Sequence, residues 1–158
     1  MTAVAVSHSH DPGPRPTTAQ VWARYLENVR AAVAEQDVQG AVRAWHDAYA
    51  VAEASRSWEG LIELGDAVLR IGDLAGIRKA SEPKARRLYL AAFFRARRDR
   101  SLDGALRTAE AFAALGDAVI VEQALTLAAT LAESASPEAR SRCHDVADRL
   151  RGAVRGNG

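Results

Sequence analysis

Residues 57–73 read SWEGLIELGDAVLRIGD. Ser57 is a residue type that caps a helix by accepting a backbone N–H of the first turn. Behind it Trp58, Leu61, Ile62, Leu64, Gly65, Val68, Leu69 and Ile71 recur at intervals of three and four, the spacing of one helical face. Gly72-Asp73 supplies a stop. The stretch is an amphipathic helix, and such a helix is stable only when its apolar face is covered by another element.

The same grammar repeats on both sides. Upstream, Thr17 or Thr18 caps a first helix that carries Val21, Tyr25, Val29, Ala32 and Val33, and a turn follows near Gln36-Asp37. Asp37 caps a second helix with the stripe Val38, Ala41, Val42, Trp45, Ala48, Tyr49 and Ala52. Downstream, a short segment spans Leu74 to Ala80 with Ile77 as its main apolar residue. Ser81-Glu82-Pro83 then opens a new helix, since proline is tolerated in a first turn, and this helix carries Leu88, Tyr89, Leu90, Phe93 and Phe94 to about Asp99-Arg100. Ser101 caps a sixth helix through Leu115, Gly116-Asp117 breaks it, Val119 to Glu133 forms a seventh, and Ser136-Pro137-Glu138 opens an eighth to about Val154. No segment alternates apolar and polar residues for long, so the prediction is all-α, with seven or eight helices and no strands.

The composition agrees. The chain has 158 residues, 48% hydrophobic and 26% charged, a globular balance long enough for one domain with a real core. Ala and Arg dominate, both strong helix formers, and their bias also points to a GC-rich bacterial genome. Residues 1–16 hold three prolines and no periodicity and are expected to be a disordered tail; 17–154 form a single helical-repeat domain, and 155–158 a frayed C-terminus. Cys143 is the only cysteine, which excludes an intrachain disulfide. The first 20 residues show no basic region followed by an apolar run, and no stretch approaches the roughly 20 apolar residues of a membrane span, so a cytoplasmic protein without membrane contact is expected.

Two segments align at a distance. Asp37-Val-Gln-Gly-Ala-Val-Arg-Ala and Ser101-Leu-Asp-Gly-Ala-Leu-Arg-Thr match through Gly40-Ala41-Val42-Arg43 and Gly104-Ala105-Leu106-Arg107, 64 residues apart. That is twice 32, and the odd-numbered helices are expected to start near 22, 58, 86 and 118. Leu64-Gly65, then Val68, then Gly72-Asp73, together with the small residues Ala41 and Ala105, resembles the tetratricopeptide repeat, a helix–turn–helix unit of about 34 residues. The resemblance covers roughly 20–153, and no single repeat holds the whole signature. It implies a right-handed stack of about four helical hairpins with a concave face lined by the first helix of each pair. On that reading the concave residues are Arg24, Asn28, Glu59, Glu63, Arg87, Ala91, Phe94, Arg95 and Arg98, a groove acidic at one end and basic at the other.

Charge marks one region. The window 78–107 holds ten Lys/Arg against Glu82, Asp99 and Asp103, a local +7 in a chain whose net charge is +1. On a wheel of the helix over 84–100, Tyr89, Phe93 and Ala96 face the core, Arg87, Arg95 and Arg98 fall opposite near Ala91, and Arg86 and Arg97 flank the core stripe. A row of guanidiniums binds carboxylate or phosphate by paired hydrogen bonds; the alternative is a solvated face paired with neighbouring acids such as Glu59, Glu63 and Asp66. An acidic peptide or protein surface ranks above nucleic acid as the ligand, because the overall pI is about 8.0 and no nucleic-acid motif accompanies the arginines.

Nothing points to catalysis or a cofactor. His8, His10 and Asp11 lie in the expected tail without a partner cysteine, and closing a metal site there costs ordering entropy. Cys143-His144-Asp145 has nucleophile-site residue types, but adjacent helical residues point about 100° apart. The glycines have neither Walker nor dinucleotide spacing. The expectation is a non-enzymatic, cofactor-free adaptor, a monomer or small homo-oligomer that binds a peptide or partner domain on a concave helical face. The alternative is an accessory subunit binding an acidic ligand or nucleic acid through the basic helix 84–100.

Overall fold

A computed structural model describes residues 17–156. They form seven helices: α1 (Thr18–Ala34), α2 (Val38–Ser55), α3 (Trp58–Leu74), α4 (Arg78–Arg98), α5 (Leu102–Ala114), α6 (Ala118–Ala132) and α7 (Pro137–Gly156). No strand occurs among the described residues. The expectations for residues 1–16, including His8, His10 and Asp11, lie outside the described residues, as do residues 157–158. Helix α7 runs two residues past its expected end at Val154.

The starts follow the capping chemistry. The Asp37 carboxylate accepts from the Gly40 amide (2.8 Å) and the Ser101 hydroxyl from the Gly104 amide (3.0 Å). Ser57, Asp117 and Ser136 accept from Glu59, Ile120 and Ala139 in the same way. The stops share one geometry at four of the six turns. Gln36, Gly76, Arg100 and Gly116 lie in the left-handed region, with φ of 59°, 68°, 52° and 72°. In each case the following amide reaches back five residues: Asp37 to Ala32 (2.9 Å), Ile77 to Gly72 (2.7 Å), Ser101 to Ala96 (2.9 Å) and Asp117 to Phe112 (3.0 Å).

That geometry corrects one reading of the sequence. The stop expected at Gly72-Asp73 falls instead at Gly76, and the helix expected to open at Ser81 begins at Arg78. The short fourth segment and the fifth helix are therefore one helix, α4. Pro83 is its sixth residue and exposed, where it forfeits one backbone bond near an end. Gly72 is buried in the last turn of α3 because a Cβ there would lie 2.4 Å from the Ser81 hydroxyl. It serves close approach, whereas a Cβ at Gly76 would meet nothing within 4 Å and that glycine serves its backbone angle.

The chain packs as two layers. Helices α1, α3, α5 and α7 adjoin in sequence to form one row; α2 packs on α1 and α3, α4 on α3 and α5, and α6 on α5 and α7. Many core positions are alanine, among them Ala41, Ala48, Ala52, Ala92, Ala96, Ala109, Ala124 and Ala128, which lets helices approach closely. Larger side chains fill the gaps where the partner is small. The Tyr89 ring occupies the space above Gly65, so that a Cβ at Gly65 would lie 2.2 Å from it, and it meets Phe112 edge-on at 5.9 Å. Trp45 Nε1 donates to the Leu64 carbonyl at 2.9 Å, tying α2 to the middle of α3.

Merging two segments changes the pairing. The basic helix is the second member of the second hairpin, not the first member of a third. The matched segments at Gly40 and Gly104 fall in α2, a second helix, and α5, a first helix. Their shared feature is the capped start. First helices begin at 18, 58, 102 and 137, intervals of 40, 44 and 35 residues rather than about 32.

Candidate functional site

The row of first helices carries a groove in two linked parts. Between α1 and α3 lies a depression of about 270 Å³, with Leu26, Val29, Val33 and Ala67 as apolar walls and Arg30, Glu63, Asp66 and Arg70 at its edge. Between α3 and α5 lies a second, of about 330 Å³, edged by Asp66, Arg70, Arg78, Arg107 and Glu110. Asp66 and Arg70 border both, so the two halves meet on α3.

The edge charges are arranged rather than scattered. Arg30 reaches Glu63 across the helices at 3.5 Å and Glu27 on its own helix at 2.9 Å. Burial pushes the Glu63 carboxyl above the ordinary carboxylate range, and Arg30 opposes that shift only in part. Asp66 accepts a 2.6 Å hydrogen bond from the Tyr89 hydroxyl. Burial, and next this bond to a carboxylate, push the Tyr89 phenol far above its ordinary value, so it stays protonated and donates. Glu110 takes Arg149 of α7 at 2.8 Å and Arg107 at 4.0 Å, and Arg78 takes Asp73 at 2.6 Å. Arg70 is exposed and has no ion pair among the described residues, although its charge is felt at Glu63.

Of the nine residues expected to share one face, only Glu63 lines this groove. Arg24 and Asn28 border a separate depression on α1 with Val21 and Tyr25. Glu59 is exposed at the start of α3, where the Ser57 hydroxyl donates to it. Arg87 and Ala91 line a groove between α2 and α4. Phe94 is 55% exposed on α4 beside Phe93.

Arg95 and Arg98 are not part of a free guanidinium row. Arg95 is 14% exposed, donates to the Ser57 carbonyl at 3.1 Å and to Glu53 at 3.0 Å, and so latches the end of α4 to the α2–α3 turn. Arg98 donates to the Arg56 carbonyl at 3.2 Å and to Asp99, and holds the Asp99 carboxyl below its ordinary range. Arg86 pairs with Asp117 across to the α5–α6 turn. The acids that pair with the cations of the basic helix are thus Glu53, Asp99 and Asp117; Asp66 meets that helix only through the Tyr89 hydroxyl, and Glu59 and Glu63 pair with none of its cations.

The sequence reading missed Arg30, Asp66, Arg70, Arg107 and Glu110 as groove residues. One signal was available: Glu59, Glu63, Asp66 and Arg70 follow each other by four, three and four residues, a single polar stripe along α3. In α7, Cys143 is buried and burial raises its thiol pKa, while His144 faces Asp148 at 3.3 Å rather than Asp145.

Compared with known proteins, the chain matches no family model, and no curated sequence or solved structure matches it significantly. No described helix is long and apolar enough to cross a membrane.

Proposed function

We propose that this chain is a protein-interaction adaptor that holds a peptide or a segment of a partner domain in the groove along α1, α3 and α5. The carrying observation is that two neighbouring depressions with apolar walls share Asp66 and Arg70 on α3, and that Arg70 is exposed there without an ion pair among the described residues. Apolar walls supply affinity, and the edge charges set orientation and partner choice. We read the fold as the right-handed, tetratricopeptide-like stack that the sequence resembles. Adjoining first helices support this reading; their long spacing makes these hairpins larger than the family's unit. We also read the protein as cytoplasmic and as a monomer or small oligomer. Support for the latter comes from α7, whose Arg142, Arg149 and Arg151 pair with Asp103, Glu110 and Glu122 and cover the last hairpin with a polar helix.

The test is an affinity capture with the full chain against Arg70→Glu and Val33→Asp, after circular dichroism establishes equal helicity and stability. A protein retained by the wild type and lost by both variants supports the groove as the contact. The same set retained by all three removes the groove from the reading.

A further inference from the structure

The second layer carries a different surface that the adaptor groove does not use. Between α2 and α4 runs a depression of about 360 Å³. Leu61, Leu88 and Ala91 give it an apolar floor, and Tyr49 stands 37% exposed at its wall. One acid, Glu53, borders it, and that carboxylate is already taken by Arg95 at 3.0 Å. Two cations border it as well. Arg87 is exposed and has no ion pair among the described residues. The Lys84 ammonium has none either; it sits 4.3 Å from the centre of the Trp45 ring, a contact that positions the charge without neutralising it.

The neighbouring charges on α4 sharpen the point. Arg78, Arg86, Arg95 and Arg98 all find carboxylates of this chain, whereas Lys84, Arg87 and Arg97 do not, and of these three only Lys84 and Arg87, one turn apart, border this groove. We propose that the α2–α4 groove is a second docking site, specific for an acidic, aliphatic-bearing peptide segment of a partner protein. Its apolar side chains cover Leu88, Ala91 and Tyr49, and its carboxylates meet Lys84 and Arg87. Arg87 supplies the paired N–H geometry that a carboxylate accepts, and Lys84 a point charge. Charge complementarity and the apolar floor both favour this occupant over a single-stranded nucleic acid. Two cations make a short phosphate track, and Trp45 is nearly buried, with Tyr49 stacked on it at 5.4 Å, which leaves it no open face for a base. This inference is independent of the groove on α1, α3 and α5.

The test selects random dodecapeptides displayed on phage against the immobilised full chain. Recovered peptides, and an oligothymidylate, are then titrated by fluorescence anisotropy across a salt series. The proteins are wild type, Arg87→Glu and Arg70→Glu, each checked for equal thermal stability. The expected result is a set of acidic peptides with aliphatic anchors whose Kd weakens by about tenfold or more in Arg87→Glu, stays within about twofold in Arg70→Glu, and weakens as salt rises. Recovery only of neutral or basic peptides, recovery of none, or a Kd that Arg87→Glu leaves unchanged overturns the proposal. Peptides sensitive to Arg70→Glu alone belong to the other groove, and if they are all that is recovered this site is refuted while the adaptor reading stands. Oligothymidylate binding that is tighter than any peptide and lost in Arg87→Glu reassigns the groove to nucleic acid.

Discussion

The middle of α4 and its C-terminal end carry similar arginines and use them differently. Near its C-terminus, Arg95 is mostly covered and spends its guanidinium on the Ser57 carbonyl and Glu53, so it fastens the helix to the α2–α3 turn. About two turns earlier, Arg87 stands in solvent with no ion pair, lining the same groove as Ala91. Arg70, on the other layer, is likewise exposed and without an ion pair, although it shares its groove edge with Glu63 and Asp66. A local charge of +7 therefore does not mark a binding face by itself. What distinguishes the two kinds of arginine is whether the fold brings an internal carboxylate or carbonyl within reach.

The largest effect tests the frame on which both layers rest. Gly65→Ala adds a Cβ that would lie 2.2 Å from the Tyr89 ring. Helix propensity favours alanine, but the displaced ring also carries the hydrogen bond to Asp66, and a net loss of about 1–3 kcal/mol is expected. Chemical denaturation measures it; unchanged stability would mean that the α3–α4 contact is looser than the glycine implies. Next comes the contrast within α4. Arg95→Ala removes bonds from a covered guanidinium and is expected to cost about 1–2 kcal/mol, whereas Arg87→Ala is expected to stay within about 0.5 kcal/mol. Equal losses in the two variants would erase the distinction between latch and free cation.

The smallest effect separates the groove edge from a simple surface ion pair. Because the folded pKa of Glu63 is raised, chiefly by burial, the native state binds its proton more tightly than the unfolded chain does. Stability attributable to this group is therefore present at pH below the ordinary carboxylate range and falls as pH rises through the window between the unfolded and the folded values. Glu63→Gln removes that dependence and is expected to leave stability at neutral pH unchanged or slightly higher. A thermal-denaturation pH series checks it, and a clear loss at neutral pH would show that the Arg30 pair dominates instead.

The helical nature of the chain and six of the seven helix starts were legible in the residues, because capping is a local property. The faces were less so: α1 buries Trp22 and Leu26 along with the expected Val29, and not the expected Val21 and Tyr25, and Val42 and Tyr49 of the expected α2 stripe are exposed. Tyr89, Phe93 and Ala96 were expected to face inward and are buried. The Gly72 misreading shows the limit. In sequence a glycine that ends a helix and a glycine that admits a neighbour look alike; the Ser81 side chain that needs the space at Gly72 lies on the next helix. The match between Gly40 and Gly104 failed as a register mark for a related reason: both follow a capping side chain by three residues, but a Cβ at Gly40 would meet its own cap, Asp37, whereas one at Gly104 would meet Ala96 and Trp58 on other helices.

The candidate sites were the least legible part. Glu63 and Arg87 were named together, yet they border grooves in different layers, since one continuous α4 in place of two segments moved the basic helix from the row of first helices to the second layer. The sequence by itself determined that the chain is all helical and where most helices begin, because those depend on backbone capping and on a period of 3.6 residues. Only the tertiary structure decided which arginines are consumed and which stand free. Pairing Arg86 with Asp117 or Arg95 with Glu53 depends on distances between helices that no local pattern encodes.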